Sequence, residues 1–162
     1  GPVVSQQQLD ENFAYVALGK TDGAELACGG DRLTRDTDGY FMAPGVFLNT
    51  TNDMRINREE MFAPLAAVIK VDSYSEALHV VNDTHFGLTS GIVTRSLSRA
   101  THFRRNARTG CVMVNLPTAG TDYHVPFGGR GDSSYGTREQ GTYAAEFYTT
   151  VKTAYIASGT PE

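Results

Sequence analysis

Cysteine is scarce: Cys28 and Cys111 are the only two in 162 residues, far apart and in no C-x-x-C pair. That count excludes a disulfide framework, and a reducing, cytoplasmic setting is the simpler reading. The four histidines, at 79, 85, 102 and 124, are scattered with no ligand spacing, so no metal site is expected. No apolar run approaches the ~20 residues of a membrane helix. The opening residues Gly1-Pro2-Val3-Val4-Ser5 carry neither the basic nor the apolar region of a signal peptide. Positive charge is in deficit: the net charge of −4 argues against nucleic acid or an anionic membrane as the main partner. Familiar catalytic loops are missing too. Gly131-Asp132-Ser133-Ser134-Tyr135-Gly136 has the wrong spacing for a G-x-S-x-G elbow. Gly128-Gly129-Arg130-Gly131 matches neither G-x-G-x-x-G nor the P-loop.

What is present is enough for one core, since 40% of the residues are hydrophobic and 20% charged, the balance of a globular domain. Leu9, Phe13, Val16 and Ala17 recur at helical spacing from an entry near Ser5 to a stop near Gly19 or Gly23. Glu25 to Cys28 reads as a short strand, and Tyr40-Phe41-Met42 and Val46-Phe47-Leu48 are strand-like around Pro44-Gly45. Ala66 to Val71 is a further strand. Ser73 and Glu76 form a capping-box pattern for a helix with Tyr74, Ala77, Leu78 and Val81 on one face. Leu88 to Thr94 reads as a strand. Leu97, Ala100, Phe103 and Ala107 trace another helix, whose other face holds Arg99, Arg104, Arg105 and Arg108. The apolar run Cys111-Val112-Met113-Val114 is expected to be a strand buried on both faces. From Asn115 to Gly136 the periodicity disappears; a short helix follows over Arg138 to Tyr148, then an alternating strand from Tyr148 to Ala157. Strands alternating with helices predict an α/β fold with a mostly parallel sheet and flanking helices. The last strand has a polar face, which suits pairing with another chain.

Glu59-Glu60-Met61-Phe62-Ala63-Pro64 enters the strand that follows it, with Pro64 restricting the backbone at Ala63. Taken alone, two adjacent acids at a strand entrance describe a solvated corner. Cys111 lies in an apolar run and reads as a buried thiol; Cys28 precedes two glycines and has no evident base. The residues by themselves give an α/β domain with two unusual loops and no reaction.

Several stretches in order resemble the C-terminal part of the aldehyde dehydrogenase superfamily. Glu59-Glu60-Met61-Phe62-Ala63-Pro64 looks like its Glu-Glu-Ile-Phe-Gly-Pro signature, and Asn82-Asp83-Thr84 with Phe86-Gly87-Leu88 looks like its Asn-x-x-x-Tyr-Gly-Leu turn. Pro126-Phe127-Gly128-Gly129, Arg138-Glu139-x-Gly141 and Tyr148-x-x-Val151-Lys152 resemble its closing block. Val114 to Gly120, Asp122 to Pro126 and Ser133 to Gly136 are similar to the branch that oxidises α-ketoglutaric semialdehyde (2,5-dioxovalerate) to 2-oxoglutarate. Succinate semialdehyde and other small carboxylated aldehydes stay open as substrates.

The resemblance implies a cysteine thiolate that attacks the aldehyde, hydride transfer to NAD or NADP, and a glutamate that activates water for thioester hydrolysis. That cysteine, that glutamate and the dinucleotide-binding domain are expected upstream, so the chain reads as a piece of a longer protein, inactive alone. No catalytic residue is assigned to Cys28 or Cys111. By resemblance Glu60 would bind hydroxyls of the nicotinamide ribose and Phe62 would pack beside the nicotinamide end. Phe127 would line the substrate entrance, and the loop from Leu116 to Val125, Leu116 and Thr121 included, would shape the aldehyde pocket. The implied organisation is a partial catalytic domain over 1–147, an oligomerisation strand over 148–157 and a tail over 158–162, with a homo-oligomer as the assembly. Ala63 stands where the family has glycine, and Gly131-Asp132 where a lysine and a glycine are expected. A non-catalytic assembly or binding module that keeps the interface strand is the competing reading.

Overall fold

A computed structural model of the chain describes residues 1–159, so the end of the expected 158–162 tail lies outside the described residues. The chain divides into two compact units, Gly1–Asp83 and Thr84 onward.

The first unit begins with α1 (Gln6–Thr21), where the Ser5 hydroxyl accepts the Gln8 amide at 3.1 Å and so satisfies one free donor of the first turn. Leu9, Asn12 and Val16 face inward at helical spacing. Gly19 does not stop this helix. A Cβ there would lie 2.8 Å from the Phe47 ring, so the glycine lets the largest buried side chain pack against the helix. The chain turns only at Gly23, in the left-handed region.

Three strands follow: β1 (Glu25–Cys28), β2 (Gly45–Thr50) and β3 (Leu65–Ile69), with β2 in the centre. β1 runs antiparallel to β2 and β3 parallel to it. The expected strand at Tyr40–Met42 is reduced to one bridge between Met42 and Arg32. A short helix absent from the sequence reading, α2 (Arg55–Arg58), crosses between β2 and β3. Leu9, Val16, Ala24, Met42, Phe47 and Ile56 form the buried core. β3 alternates half-buried and exposed residues, so one face only is covered. α3 (Tyr74–Asn82) starts at Ser73, whose hydroxyl accepts the Glu76 amide; the Glu76 carboxylate takes the amide of Asp72, one residue earlier than a capping box requires.

The second unit is built on a βαβ element: β4 (Thr89–Ile92), α4 (Leu97–Asn106) and β5 (Cys111–Val114), with β4 and β5 parallel and in register. Phe103 and Ala107 are buried, and the buried Ser90 and Thr109 hydroxyls pair at 2.7 Å. Asn115 extends the ladder past its end. Its amide donates to the Ile92 carbonyl, while its side chain accepts from the Thr94 N–H and donates to the Thr94 carbonyl. That double bond holds it in the left-handed conformation that asparagine tolerates. β5 is half-buried throughout, not buried on both faces as expected.

One expectation at the C-terminal end is corrected, and the strand expected to pair with another chain has no counterpart in the single chain. The helix expected over Arg138–Tyr148 is confined to a 3-10 turn at Gly141–Tyr143 and α5 (Ala144–Tyr148). Its first half is unavailable because Phe127 and Glu139 exchange both backbone hydrogen bonds at 2.8 Å. The strand expected at Tyr148–Ala157 does not form in the single chain: Tyr148 closes α5, and 149–159 carry no regular element and are exposed. A strand needs a partner for its amides and carbonyls, and among the described residues none pairs with it. Two of the three strand pairings are parallel, and the α/β class is as expected. No helix among the described residues is long and apolar enough to cross a membrane.

Candidate functional site

In the first unit, the loop that follows α2 separates its two acids. Glu59 is the C-cap of α2, with its N–H donating to the Arg55 carbonyl at 2.9 Å. Its carboxylate accepts from Arg55 Nε at 2.8 Å and Nη2 at 3.2 Å, and from the Tyr15 hydroxyl of α1 at 3.1 Å. These contacts have an electrostatic signature. The Arg55 bond, and after it the Tyr15 hydroxyl, hold the Glu59 carboxyl below its ordinary range, while burial and then Glu59 itself raise the Tyr15 phenol. The backbone at Glu59 is extended (φ −105°, ψ 151°), which sends successive side chains to opposite sides.

Glu60 is therefore exposed, and among the described residues it makes no hydrogen bond or ion pair. Met61 turns back onto the core. Phe62 is 81% exposed and sits at φ +51°. A bulky side chain in the left-handed region is strained by about 1–2 kcal/mol, and an aromatic with so little burial recovers none of it in packing. Such a conformation persists only where its surroundings impose it. Here the far end of the loop is fixed as well, since the Gly45 amide donates to the Pro64 carbonyl at 2.9 Å. Ala63 takes no left-handed conformation, so the backbone there does not require the glycine that the family carries.

The second unit holds Phe127, Leu116 and Thr121. Phe127 is half-buried and anchored by its two backbone bonds to Glu139. The two glycines after it are buried, and the second is tied down: the Gly129 amide donates to the Ser134 hydroxyl, and Arg138 Nη1 donates to the Gly129 carbonyl, both at 2.5 Å. Gly87 joins the same web, its amide donating to Ser133 Oγ and its carbonyl accepting from the amides of Gly110 and Arg130. A Cβ on Gly110 would come within 1.8 Å of the Gly128 carbonyl oxygen, so the backbones meet there only because that side chain is absent. At 131, where a lysine was expected, φ is +56° and a Cβ would lie 2.2 Å from the His85 carbonyl oxygen; this backbone takes glycine. Leu116 is 65% exposed on the loop after β5, and Thr121 is half-buried in the same loop.

Glu60 and Phe62 thus share one loop of the first unit, and Leu116, Thr121 and Phe127 belong to the loops of the second. Sequence reasoning missed Tyr15 and Arg55. The i, i+4 spacing of Arg55 and Glu59 was the available signal, but Tyr15 lies 44 residues from Glu59 and left none. Cys28 is exposed at the end of β1, and Cys111 is half-buried with its sulfur 3.8 Å from the Gly128 carbonyl oxygen. Among the described residues no group of three or more His, Cys, Asp or Glu side chains gathers to hold a metal.

The aldehyde dehydrogenase family profile matches residues 1–154. An alpha-ketoglutaric semialdehyde dehydrogenase of Bacillus subtilis (strain 168) is 41% identical over 158 residues, which cover 96% of this chain and 32% of that protein. An alpha-ketoglutarate semialdehyde dehydrogenase of Haloferax volcanii is also 41% identical, over 96% of this chain and 33% of its own length. Among solved structures, the indole-3-acetaldehyde dehydrogenase AldA of P. syringae, in complex with NAD+ and IAA, superposes with a TM-score of 0.88 at 38% identity, covering 96% of this chain and 31% of that one. The chain spans about a third of the length of the relatives it matches.

Proposed function

The chain belongs to the aldehyde dehydrogenase family, and on that premise we propose that it is the C-terminal portion of an NAD(P)-dependent enzyme oxidising α-ketoglutaric semialdehyde to 2-oxoglutarate. The observation that carries the reading is the outward presentation of Glu60 and Phe62. A carboxylate with no protein partner can accept both hydroxyls of a ribose, and a strained, solvent-facing phenyl ring offers a flat apolar surface to a nicotinamide. These two residues fit the coenzyme's nicotinamide riboside half, which supplies the hydride acceptor when bound. Leu116, Thr121 and Phe127 shape the aldehyde pocket. The nucleophilic cysteine and the general base belong, in this reading, to residues preceding the matched region, and the setting is cytoplasmic.

Residues 148–157 are assigned to pairing with a neighbouring subunit. What supports this is a segment that alternates in sequence, pairs with no strand among the described residues and leaves Val151 and Tyr155 97% exposed. Removal of 149–162 from the full-length protein is expected to lower its oligomeric state in light scattering; an unchanged assembly would reject the assignment.

The test of the function is a pair of assays with NAD+ and NADP+. The full-length gene product is expected to oxidise α-ketoglutaric semialdehyde faster than succinate semialdehyde, and the 162-residue chain to oxidise neither. Turnover by the isolated chain would overturn the placement of the chemistry. Absence of oxidation by the full-length product would leave the non-catalytic module as the reading.

A further inference from the structure

We propose that Tyr15, Arg55 and Glu59 form a clamp whose role is to orient Glu60 and Phe62 for the coenzyme, an inference that rests on the function proposed above. The loop 60–63 is four residues long and fixed at both ends. At its start the Glu59 carboxylate is held from two helices, by Arg55 of α2 and by the Tyr15 hydroxyl of α1. At its end Pro64 is bonded to the Gly45 amide of the central strand. Because the Glu59 backbone is extended, drawing its side chain towards α1 turns the next side chain away, and Glu60 is left exposed and unpaired. Met61 then anchors on the core, and Phe62 takes up the remaining bend at φ +51°.

Stability does not account for this arrangement. The Arg55 and Glu59 side chains are 61% and 37% exposed, and an exposed ion pair at i, i+4 adds little to stability. The Tyr15 bond adds a second direction to the same carboxylate, and two directions fix an orientation where one leaves a hinge. The three side chains, with Glu11, Ala14 and Leu18 beside them, line an open groove along α1, and Glu60 is not among the residues that line it. Tyr15, Arg55 and Glu59 are thus positioning residues, acting through the peptide that joins Glu59 to Glu60.

The experiment compares wild-type full-length enzyme with Tyr15→Phe, Glu59→Ala and Glu59→Gln, measuring the coenzyme dissociation constant, both KM values, kcat and Tm. Tyr15→Phe is expected to weaken coenzyme binding roughly two- to tenfold, the range of one hydrogen bond, with aldehyde KM and Tm unchanged. Glu59→Ala should weaken it further, and Glu59→Gln, which keeps an acceptor for Tyr15, should recover part of the loss. Unchanged coenzyme affinity in Tyr15→Phe would overturn the clamp while leaving the proposed function standing. So would an equal loss for coenzyme and aldehyde together with a fallen Tm, the mark of a merely structural contact. A wild-type protein that neither binds coenzyme nor oxidises aldehyde would overturn the functional reading, and the clamp with it.

Discussion

The loop at 59–64 and the loop at 127–139 each present an aromatic side chain, and they are held in opposite ways. The first hangs on charged and hydroxyl side chains reaching from two helices, with its strain concentrated at Phe62. The second is held by backbone amides and carbonyls packed so closely that glycine is required, with serine hydroxyls and Arg138 filling in. Side-chain anchoring tolerates substitution in small steps, since each contact is exposed and modest. Backbone anchoring does not, because a single methyl group has nowhere to go.

The largest expected effect is therefore at Gly110. Gly110→Ala places a Cβ 1.8 Å from the Gly128 carbonyl oxygen and is expected to destabilise the second unit by about 3 kcal/mol or more, read from urea unfolding of the 162-residue chain. A loss below about 1 kcal/mol would show that the two backbones can part, and would dissolve the contrast between the loops.

Next comes the difference between the two acids of the first loop. In the full-length enzyme Glu60→Gln is expected to lower kcat/KM for the coenzyme roughly tenfold or more, the scale of a hydrogen bond to a charged group, and Glu59→Gln less. Equal losses, or a larger loss at Glu59, would mean that the outward residue has been misassigned.

Phe62 sharpens the comparison from the opposite direction. Phe62→Asn replaces a residue that resists φ +51° by one that accepts it, with little burial to forfeit. The isolated chain is expected to gain about 0.5–1 kcal/mol in stability, while coenzyme affinity of the full-length enzyme falls. A destabilised chain would mean that the ring packs in solution.

The smallest effect concerns pH. Arg55 first, then Tyr15, hold the Glu59 carboxyl below its ordinary value of 4.5; the Arg58 guanidinium does the same to Asp83 and the Thr51 hydroxyl to Asp53. A carboxyl whose folded-state pKa is depressed contributes stability above its unfolded value and loses it as pH falls through the folded one. The Tm of the chain should thus decline below pH about 4.5, and less steeply in Glu59→Gln. Parallel curves for the two proteins would remove Glu59 from the set.

Much of the scaffold was legible in the sequence because it is local. Ser5 and Ser73 cap helices through their own neighbours, short apolar runs located β1 and β5, and the 3.6-residue period located α3 and α4. Of the two glycines offered as the stop of α1, Gly23 makes the turn, and the packing role of Gly19 was not legible because its partner, Phe47, is distant in sequence. The helix expected from Arg138 was shortened by a backbone bridge to Phe127, which no helical periodicity announces. The Glu59–Pro64 stretch was conspicuous as a motif and the resemblance singled out Glu60, but the Tyr15 hydroxyl that holds Glu59 left no sign in the sequence.

The sequence by itself determined the α/β class, the family and the order of motifs along the chain, since caps, periodicities and signatures are all carried by residues near one another. Only the tertiary structure decided that Glu59 turns in and Glu60 out, that the loop's bend falls on Phe62 and not on residue 63, and that Gly110 is a point of backbone contact. Each of these is set by groups dozens of residues apart or by a conformation that the residue type does not favour. Folding has to bring the partners together before any of them exists.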